Sequence, residues 1–154
     1  MDEVIFRDAA LADLPAIVAL LAEDTLGEKR EDSSLPLDPR YGSAFAAIEA
    51  DPNQRLIVVE TGGRVAGCLQ LTFIPGIAFR GGWRGLIEAV RVAGGLRGQG
   101  IGERLMAYAV AACRERGCRM AQLTSHKSRS RAHHFYEQLG WTRSHEGFKL
   151  SLDE

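Results

Sequence analysis

The sequence has no hydrophobic run long enough to cross a membrane and no marked excess of either charge. Its 154 residues carry 19 lysines and arginines against 20 aspartates and glutamates, a formal net charge of −1. This balance lacks the basic surface that nucleic acids and anionic membranes attract. The apolar stretches are all shorter than the roughly 18 residues that a spanning helix needs. Neither a nucleic-acid partner nor a membrane partner is therefore predicted.

Cysteine is also scarce, and its three copies, Cys68, Cys113 and Cys118, lack the spacing of a metal site. An odd number without such spacing argues against a disulfide framework and predicts reduced, mostly buried thiols and no bound metal. The start, Met1-Asp2-Glu3, is acidic, unlike a signal peptide. We expect a cytoplasmic protein. With 45% hydrophobic residues, the chain can form one core, and a single domain over residues 1–154 is predicted.

Hydrophobic periodicity predicts strands and helices in one α/β domain with a mixed sheet. Asp13 is a candidate N-cap with Pro15 in the first turn of its helix, and Gly62-Gly63 suits the tight turn of a hairpin. A loop is predicted over residues 27–40. The predicted strands cover residues 4–7, 56–60, 65–73, 86–92, 119–124 and one or two within 141–152, and the predicted helices 14–21, 41–50, 103–116 and 132–139.

Glycines crowd between the strand at 86–92 and the helix that follows it. The letters from Arg97 to Gly102 are R-G-Q-G-I-G. Glycine lets backbone N–H groups approach a ligand closely, and the start of a helix attracts anions. The third glycine of a dinucleotide fingerprint is replaced by Glu103, and no lysine follows Gly100 or Gly102 as a Walker loop requires. The pattern instead resembles the pyrophosphate loop of the GNAT acyltransferase superfamily, which binds acetyl-coenzyme A.

A second match lies 30 residues after Gly102. The run from Ala132 to Trp141, A-H-H-F-Y-E-Q-L-G-W, resembles the A-x-x-F-Y-x-x-x-G-F/W signature of the same superfamily. The resemblance implies a mostly antiparallel mixed sheet of six to seven strands flanked by about four helices, with acetyl-CoA held where neighbouring strands splay apart. It covers residues 86–141 at the level of motifs and the rest only as an order of elements.

The resemblance also implies which residues bind the coenzyme. The strand before the loop would pair with the pantetheine arm, and a backbone N–H there would polarise the thioester carbonyl. Relatives often place an asparagine before the F-Y pair, and this chain has none; Ser128 or Arg129 are its candidate replacements. The coenzyme-binding residues implied are Val90, Arg91, Val92, Arg97, Gly98, Gln99, Gly100, Ile101, Gly102, Glu103, Ser128 and Arg129.

Two residues are candidates for catalysis. Tyr136 matches the tyrosine that protonates the leaving thiolate in many relatives, and a phenol of pKa about 10 is an available acid. Glu88 lies on the strand before the loop, where many relatives place the residue that binds or deprotonates the amine. Because that strand lacks clean alternation, we expect it to be buried on both faces, where a carboxylate is costly unless paired or functional. His126 is an alternative base.

The sequence thus predicts a cytoplasmic N-acetyltransferase that moves an acetyl group from acetyl-CoA to a primary amine of a small molecule or peptide by direct attack. The alternative is a non-catalytic acetyl-CoA-binding regulatory module, which would need neither Glu88 nor Tyr136. A homodimer is expected by analogy. The identity of the acceptor amine is not encoded in any motif.

Overall fold

The computed structural model describes residues 3–153. Internal contacts divide the chain into two compact units, Met1–Gln122 and Leu123–Glu154. None of the helices in the described range is long and apolar enough to cross a membrane.

Five strands form one mixed sheet in the order β1-β2-β3-β4-β5. The first four pair with their neighbours in antiparallel register. A helix connects β4 to β5, and a crossover of this kind is what adjacent parallel strands require. The strands are β1 Val4–Asp8, β2 Gln54–Thr61, β3 Arg64–Ile74, β4 Arg84–Val92 and β5 Met120–Leu123.

Six helices accompany the sheet in the described part of the chain, and two of them are only one turn or slightly longer. They are α1 Leu14–Leu21, α2 Thr25–Arg30, α3 Pro39–Ala50, α4 Ala78–Gly81, α5 Ile101–Glu115 and α6 Ser130–Gln138. Single turns of 3-10 helix lie at Leu11–Asp13 and Gly94–Leu96. Asp13 precedes α1 as predicted, but its carboxylate accepts hydrogen bonds from Arg7 at 2.6 Å and from the Ala10 amide at 2.7 Å rather than capping the helix.

Alternate residues of β3 pack against helices on opposite faces of the sheet. On one face, Cys68 is buried with Val58 of β2 and with Ile17 and Leu20 of α1. On the other face, α5 contacts β3 and β4. A Cβ at Gly85 of β4 would collide with the Cys113 sulfur of α5, so this glycine permits close packing of the helix.

Several sequence predictions need correction. Within residues 3–153 the sheet has five strands, fewer than the six to seven expected, and there are six helices where about four were expected. The predicted loop at 27–40 contains the end of α2, which Asp24 caps by accepting from the Gly27 amide at 2.7 Å. A carboxylate at the N-cap outweighs the poor helix propensity of glycine there.

The final predicted strand is also absent, since residues 141–153 form no strand. Their alternating apolar side chains are instead exposed: Phe148 by 92%, Leu150 by 85% and Leu152 by 90%. Alternation alone cannot form a strand, because a strand is defined by backbone hydrogen bonds to a neighbour. The prediction of one or two strands within 141–152 is therefore wrong, because the pairing that a strand requires does not form within these residues.

Candidate functional site

The predicted anion loop has the backbone geometry that its glycines suggested. Gly98 and Gly100 have left-handed φ angles of 82° and 79°. A Cβ at either position would meet nothing within 4 Å, so these glycines serve conformation rather than packing. Arg97 and Gln99 are exposed beside them. The loop is therefore an open backbone surface at the end of β4.

The loop leads directly into α5, with Gly100 at the N-cap position. The first N–H groups of any helix have no acceptor within that helix, and the macrodipole adds partial positive charge. The first turn of this 15-residue helix contains Ile101, Gly102 and Glu103. Upstream, the Glu23 carboxylate accepts a hydrogen bond of 3.0 Å from the Gly94 amide, which fixes the entry to the loop. The residues present fit a bound pyrophosphate.

Strand β4 contains a β-bulge that the sequence did not predict. Cys68 of β3 pairs with Arg91 and Gln70 pairs with Glu88, so Ala89 and Val90 together face Leu69. Ala89 has a φ of 55°, a left-handed conformation that costs a non-glycine residue roughly 1–2 kcal/mol. Strain of this kind persists only where the surrounding structure imposes it, and it concentrates at functional sites. The bulged residues, Ala89 and Val90, immediately precede Arg91 and Val92.

The bulge is tied to the core by Cys68. Its thiol donates a hydrogen bond to the Ala89 carbonyl oxygen at 3.6 Å. Cys68 is 1% exposed, and burial raises the pKa of its thiol to about 12. The group is therefore a protonated donor at neutral pH rather than a nucleophile.

Glu88 is on β4 as predicted, but its surroundings differ from those expected. The strand is not buried on both faces, and Glu88 itself is exposed. The free-energy cost of burying a carboxylate therefore does not apply to Glu88. Glu88 faces Gln70 across the ladder, and Gln54 of β2 accepts hydrogen bonds of 3.0 Å from both Gln70 and Thr72. These four side chains form a polar patch, which we call the Glu88 patch (Gln54, Gln70, Thr72 and Glu88).

The second unit contains Tyr136, on α6. Its ring lies edge-on to Phe135 and to Trp141, with centroid separations of 5.2 and 6.4 Å. The side chain is half-buried. This aromatic group corresponds to the F-Y and G-W parts of the motif.

His126 and Ser128 occupy the loop before α6. The Ser128 amide donates to Nδ1 of His126 at 3.1 Å, and the Ser128 hydroxyl lies 2.7 Å from the same atom. An accepting Nδ1 places the proton of a neutral ring on Nε2. His126 is exposed, which matches a solvated loop histidine better than a general base. Arg129 lies at the position before α6.

Among residues 3–153, no group of three or more His, Cys, Asp or Glu side chains could hold a metal ion. The other two cysteines are free thiols, Cys113 buried and Cys118 half-buried. Burial also raises the pKa of the Cys113 thiol, to about 11.

Comparison with known proteins assigns the chain to a family. The family model described as the acetyltransferase (GNAT) family matches residues 15–141, which include both motifs. The chain belongs to the GNAT family. Proteins of this family transfer acetyl groups and use acetyl-CoA.

Individual relatives agree with this assignment. The chain is 29% identical to an aminoalkylphosphonate N-acetyltransferase of Salmonella typhimurium, over 95% of this chain and 90% of the relative. A crystal structure described as a transcriptional regulator from Bacillus halodurans is 45% identical, with a TM-score of 0.95 over 97% of this chain and all of the other. A crystal structure described as a predicted acetyltransferase with acetyl-CoA from Clostridium acetobutylicum shares the fold at 19% identity, with a TM-score of 0.75 over 97% of each chain.

Two features of the site were missed by sequence reasoning. The bulge at Ala89 carries no glycine or proline to mark it, so no residue signalled it. The Glu88 patch was missed because Gln54, Gln70 and Thr72 come together only through the pairing of β2 with β3 and of β3 with β4.

Proposed function

We propose that this chain is an N-acetyltransferase that moves an acetyl group from acetyl-CoA to a primary amine of a small molecule or peptide by direct attack. The observation that carries the proposal is one continuous segment, in which the bulged strand β4 leads through two left-handed glycines into the start of α5. Such a segment offers backbone N–H groups both to a thioester carbonyl and to a pyrophosphate.

The coenzyme would be held mainly by backbone. The residues from Arg97 to Glu103 would bind the pyrophosphate, with the exposed Arg97 guanidinium adding charge. Val90, Arg91 and Val92 would pair with the pantetheine arm through main-chain hydrogen bonds, as a strand does with an added extended segment. Ser128 and Arg129 would also contact the coenzyme. The Ser128 hydroxyl already lies within hydrogen-bond distance of His126.

Acetyl-CoA supplies an activated acyl group when it is bound, and the protein positions the acceptor. Glu88 would hold the ammonium form of the amine and accept its proton, directly or through water. Gln70, directly opposite Glu88, would orient the amine by hydrogen bonds. The attacking nitrogen forms the new C–N bond and loses its second proton to solvent, and the thioester C–S bond breaks. The leaving thiolate takes a proton from Tyr136, whose phenolate is reprotonated from solvent.

Two substitutions test the assigned roles. Tyr136→Phe should lower kcat while acetyl-CoA binding stays intact, because only the acid is removed; an unchanged kcat would remove Tyr136 from the mechanism. Glu88→Gln should remove the acidic limb of the pH–rate profile. The matched control is Glu115→Gln, which deletes another exposed carboxylate, at the last residue of α5 and outside the proposed site. An unaltered profile in Glu88→Gln would mean that Glu88 is structural.

The first experiment is a titration of the purified chain with acetyl-CoA, following coenzyme A release against a panel of amines. Aminoalkylphosphonates belong in the panel because a relative is named for that activity. Saturable release with one amine class would support the enzyme and identify its substrate class. Tight binding with no release above background would favour the regulatory module instead. The Bacillus halodurans relative, described as a transcriptional regulator, makes that control worth running.

We also propose a homodimer joined through the segment 142–153. This segment exposes an apolar face of Phe148, Leu150 and Leu152, and an exposed alternating stretch of this kind readily adds to a sheet edge. Strand β5 ends the order of strands and is only half-buried, so it offers such an edge. Leu150→Glu should yield monomers by analytical ultracentrifugation, whereas Lys149→Glu, on the opposite face, should remain dimeric. A monomeric native chain would refute this proposal.

A further inference from the structure

We infer that Cys68 is a positioning residue for acetyl transfer, because its thiol holds the Ala89–Val90 peptide in the orientation that presents the Val90 N–H to the thioester carbonyl. This inference rests on the proposed function and assigns a residue to it that neither motif contains. Cys68 lies on β3, outside both the glycine loop and the F-Y segment.

The orientation follows from the planarity of the peptide bond. The Ala89 carbonyl oxygen accepts the hydrogen bond from the Cys68 sulfur at 3.6 Å. In a trans peptide the C=O and the following N–H point in opposite directions. The Val90 N–H therefore points away from Cys68 and from β3. In a regular ladder the N–H groups of a strand point alternately to its two neighbouring strands. At the bulge, the orientation of the Val90 N–H is set instead by the hydrogen bond from Cys68 to the Ala89 carbonyl.

The bulge needs such a restraint. An alanine with φ of 55° gains nothing from its side chain, so neighbouring contacts must keep it left-handed. Two contacts on β3 are placed to do this. Cys68 binds the carbonyl of Ala89, and Gly67 allows the Arg91 carbonyl to approach so closely that a Cβ there would lie 2.6 Å from it. The buried residues that cluster with Cys68, Ile17, Leu20 and Val58, are apolar, so their side chains offer the thiol no competing acceptor.

The thiol suits this role because it stays protonated. Its pKa of about 12 leaves the S–H donor intact over the pH range in which the enzyme would work. The role is one of orientation, and Cys68 forms no covalent bond with the substrate.

The test uses three variants of Cys68 in the full chain. Cys68→Ser keeps a donor of similar size, Cys68→Ala removes it, and Cys68→Val removes it while filling the volume. The matched control is Cys113→Ala, which deletes another buried thiol, one that packs against β4 at Gly85 on the other face. All four variants are compared for unfolding free energy, so that loss of folded protein is not mistaken for loss of rate.

The direct readout is the infrared carbonyl frequency of acetyl-CoA labelled with ¹³C at the acetyl carbonyl. A hydrogen bond from Val90 lowers this frequency in the bound coenzyme. We expect the lowered frequency in the native chain, in Cys68→Ser and in Cys113→Ala, and a return toward the free value in Cys68→Ala and Cys68→Val. This readout needs no acceptor amine.

The kinetic readout should agree. Deleting a donor to the oxyanion lowers kcat by about 100-fold or more. Rotating the Val90 N–H away from the thioester carbonyl should lower kcat by about tenfold. We expect this fall in Cys68→Val with the KM for acetyl-CoA unchanged, and its rescue in Cys68→Ser. Equal frequencies and equal kcat in the native chain and Cys68→Val would overturn the inference while leaving the proposed function intact. Failure of the native chain to bind acetyl-CoA would overturn both.

Discussion

Gly67→Ala tests whether the close approach of β3 and β4 beside the bulge holds the site together. A Cβ at this position would lie 2.6 Å from the Arg91 carbonyl oxygen and 3.0 Å from the Val59 side chain. The oxygen belongs to the backbone and must retreat by about 0.8 Å to reach ordinary contact at 3.4 Å. Overpacking of this kind costs about 1–3 kcal/mol. For a chain of this length, that corresponds to a fall in melting temperature of roughly 2–12 °C.

The same displacement should weaken coenzyme binding, because Arg91 lies on the segment proposed to pair with pantetheine. Urea unfolding measures the first effect and calorimetric titration with coenzyme A the second. Gly42→Ala is the matched control, since Gly42 is within α3 and a Cβ there meets nothing within 4 Å. Alanine at Gly42 should stabilise the chain by about 0.5–1 kcal/mol. A Gly67→Ala variant with native stability and native affinity would refute the reasoning.

Three further predictions concern the glycine loop, the hydrophobic core and the stability of the chain at acidic pH. Gly100→Ala forces alanine into a left-handed N-cap, so it should cost about 1 kcal/mol and weaken coenzyme A binding in titrations while the circular dichroism spectrum stays native. Leu105→Ala empties a fully buried site on α5 and should lower the unfolding free energy by about 3–5 kcal/mol in urea. The hydrogen bonds from Arg7 lower the pKa of Asp13. The ionised Asp13 carboxylate therefore stabilises the folded chain fully above the ordinary pKa of about 3.9, and this stabilisation is lost as the pH falls through the lowered pKa. Asp13→Asn should therefore cost about 1 kcal/mol at pH 7, and the difference from the native chain should shrink in unfolding curves recorded below about pH 4.

Much of the fold could be predicted from local pattern. The hairpin around Gly62-Gly63, the helix from Pro39 to Ala50 and the long helix after the glycine loop all form close to the predicted positions. In each case the deciding signal lies within a few residues, as a turn glycine or an apolar stripe at helical spacing. The family assignment succeeded for the same reason, since both motifs are short and contiguous.

The site was predicted less completely, because its geometry depends on strand register. Glu88 was assigned to the correct strand. Its exposure, however, depends on what packs over β4, and the pattern of apolar residues wrongly predicted that the strand is buried on both faces. The roles of Glu88, Tyr136 and the coenzyme-binding residues stay predictions. The polar patch around Glu88 required knowledge that Gln54 faces Thr72 and that Gln70 faces Glu88.

The sequence by itself determined the backbone conformation of the glycine loop, because glycine adopts left-handed φ angles without steric cost and Gly98 and Gly100 both have them. Only the tertiary structure decided the bulge at Ala89. An alanine favours the ordinary strand conformation, and it becomes left-handed here because β3 pairs two residues of β4 against one of its own and Cys68 binds the displaced carbonyl. Local conformational freedom is encoded in single residues, whereas strain imposed by neighbouring strands exists only after the sheet has formed.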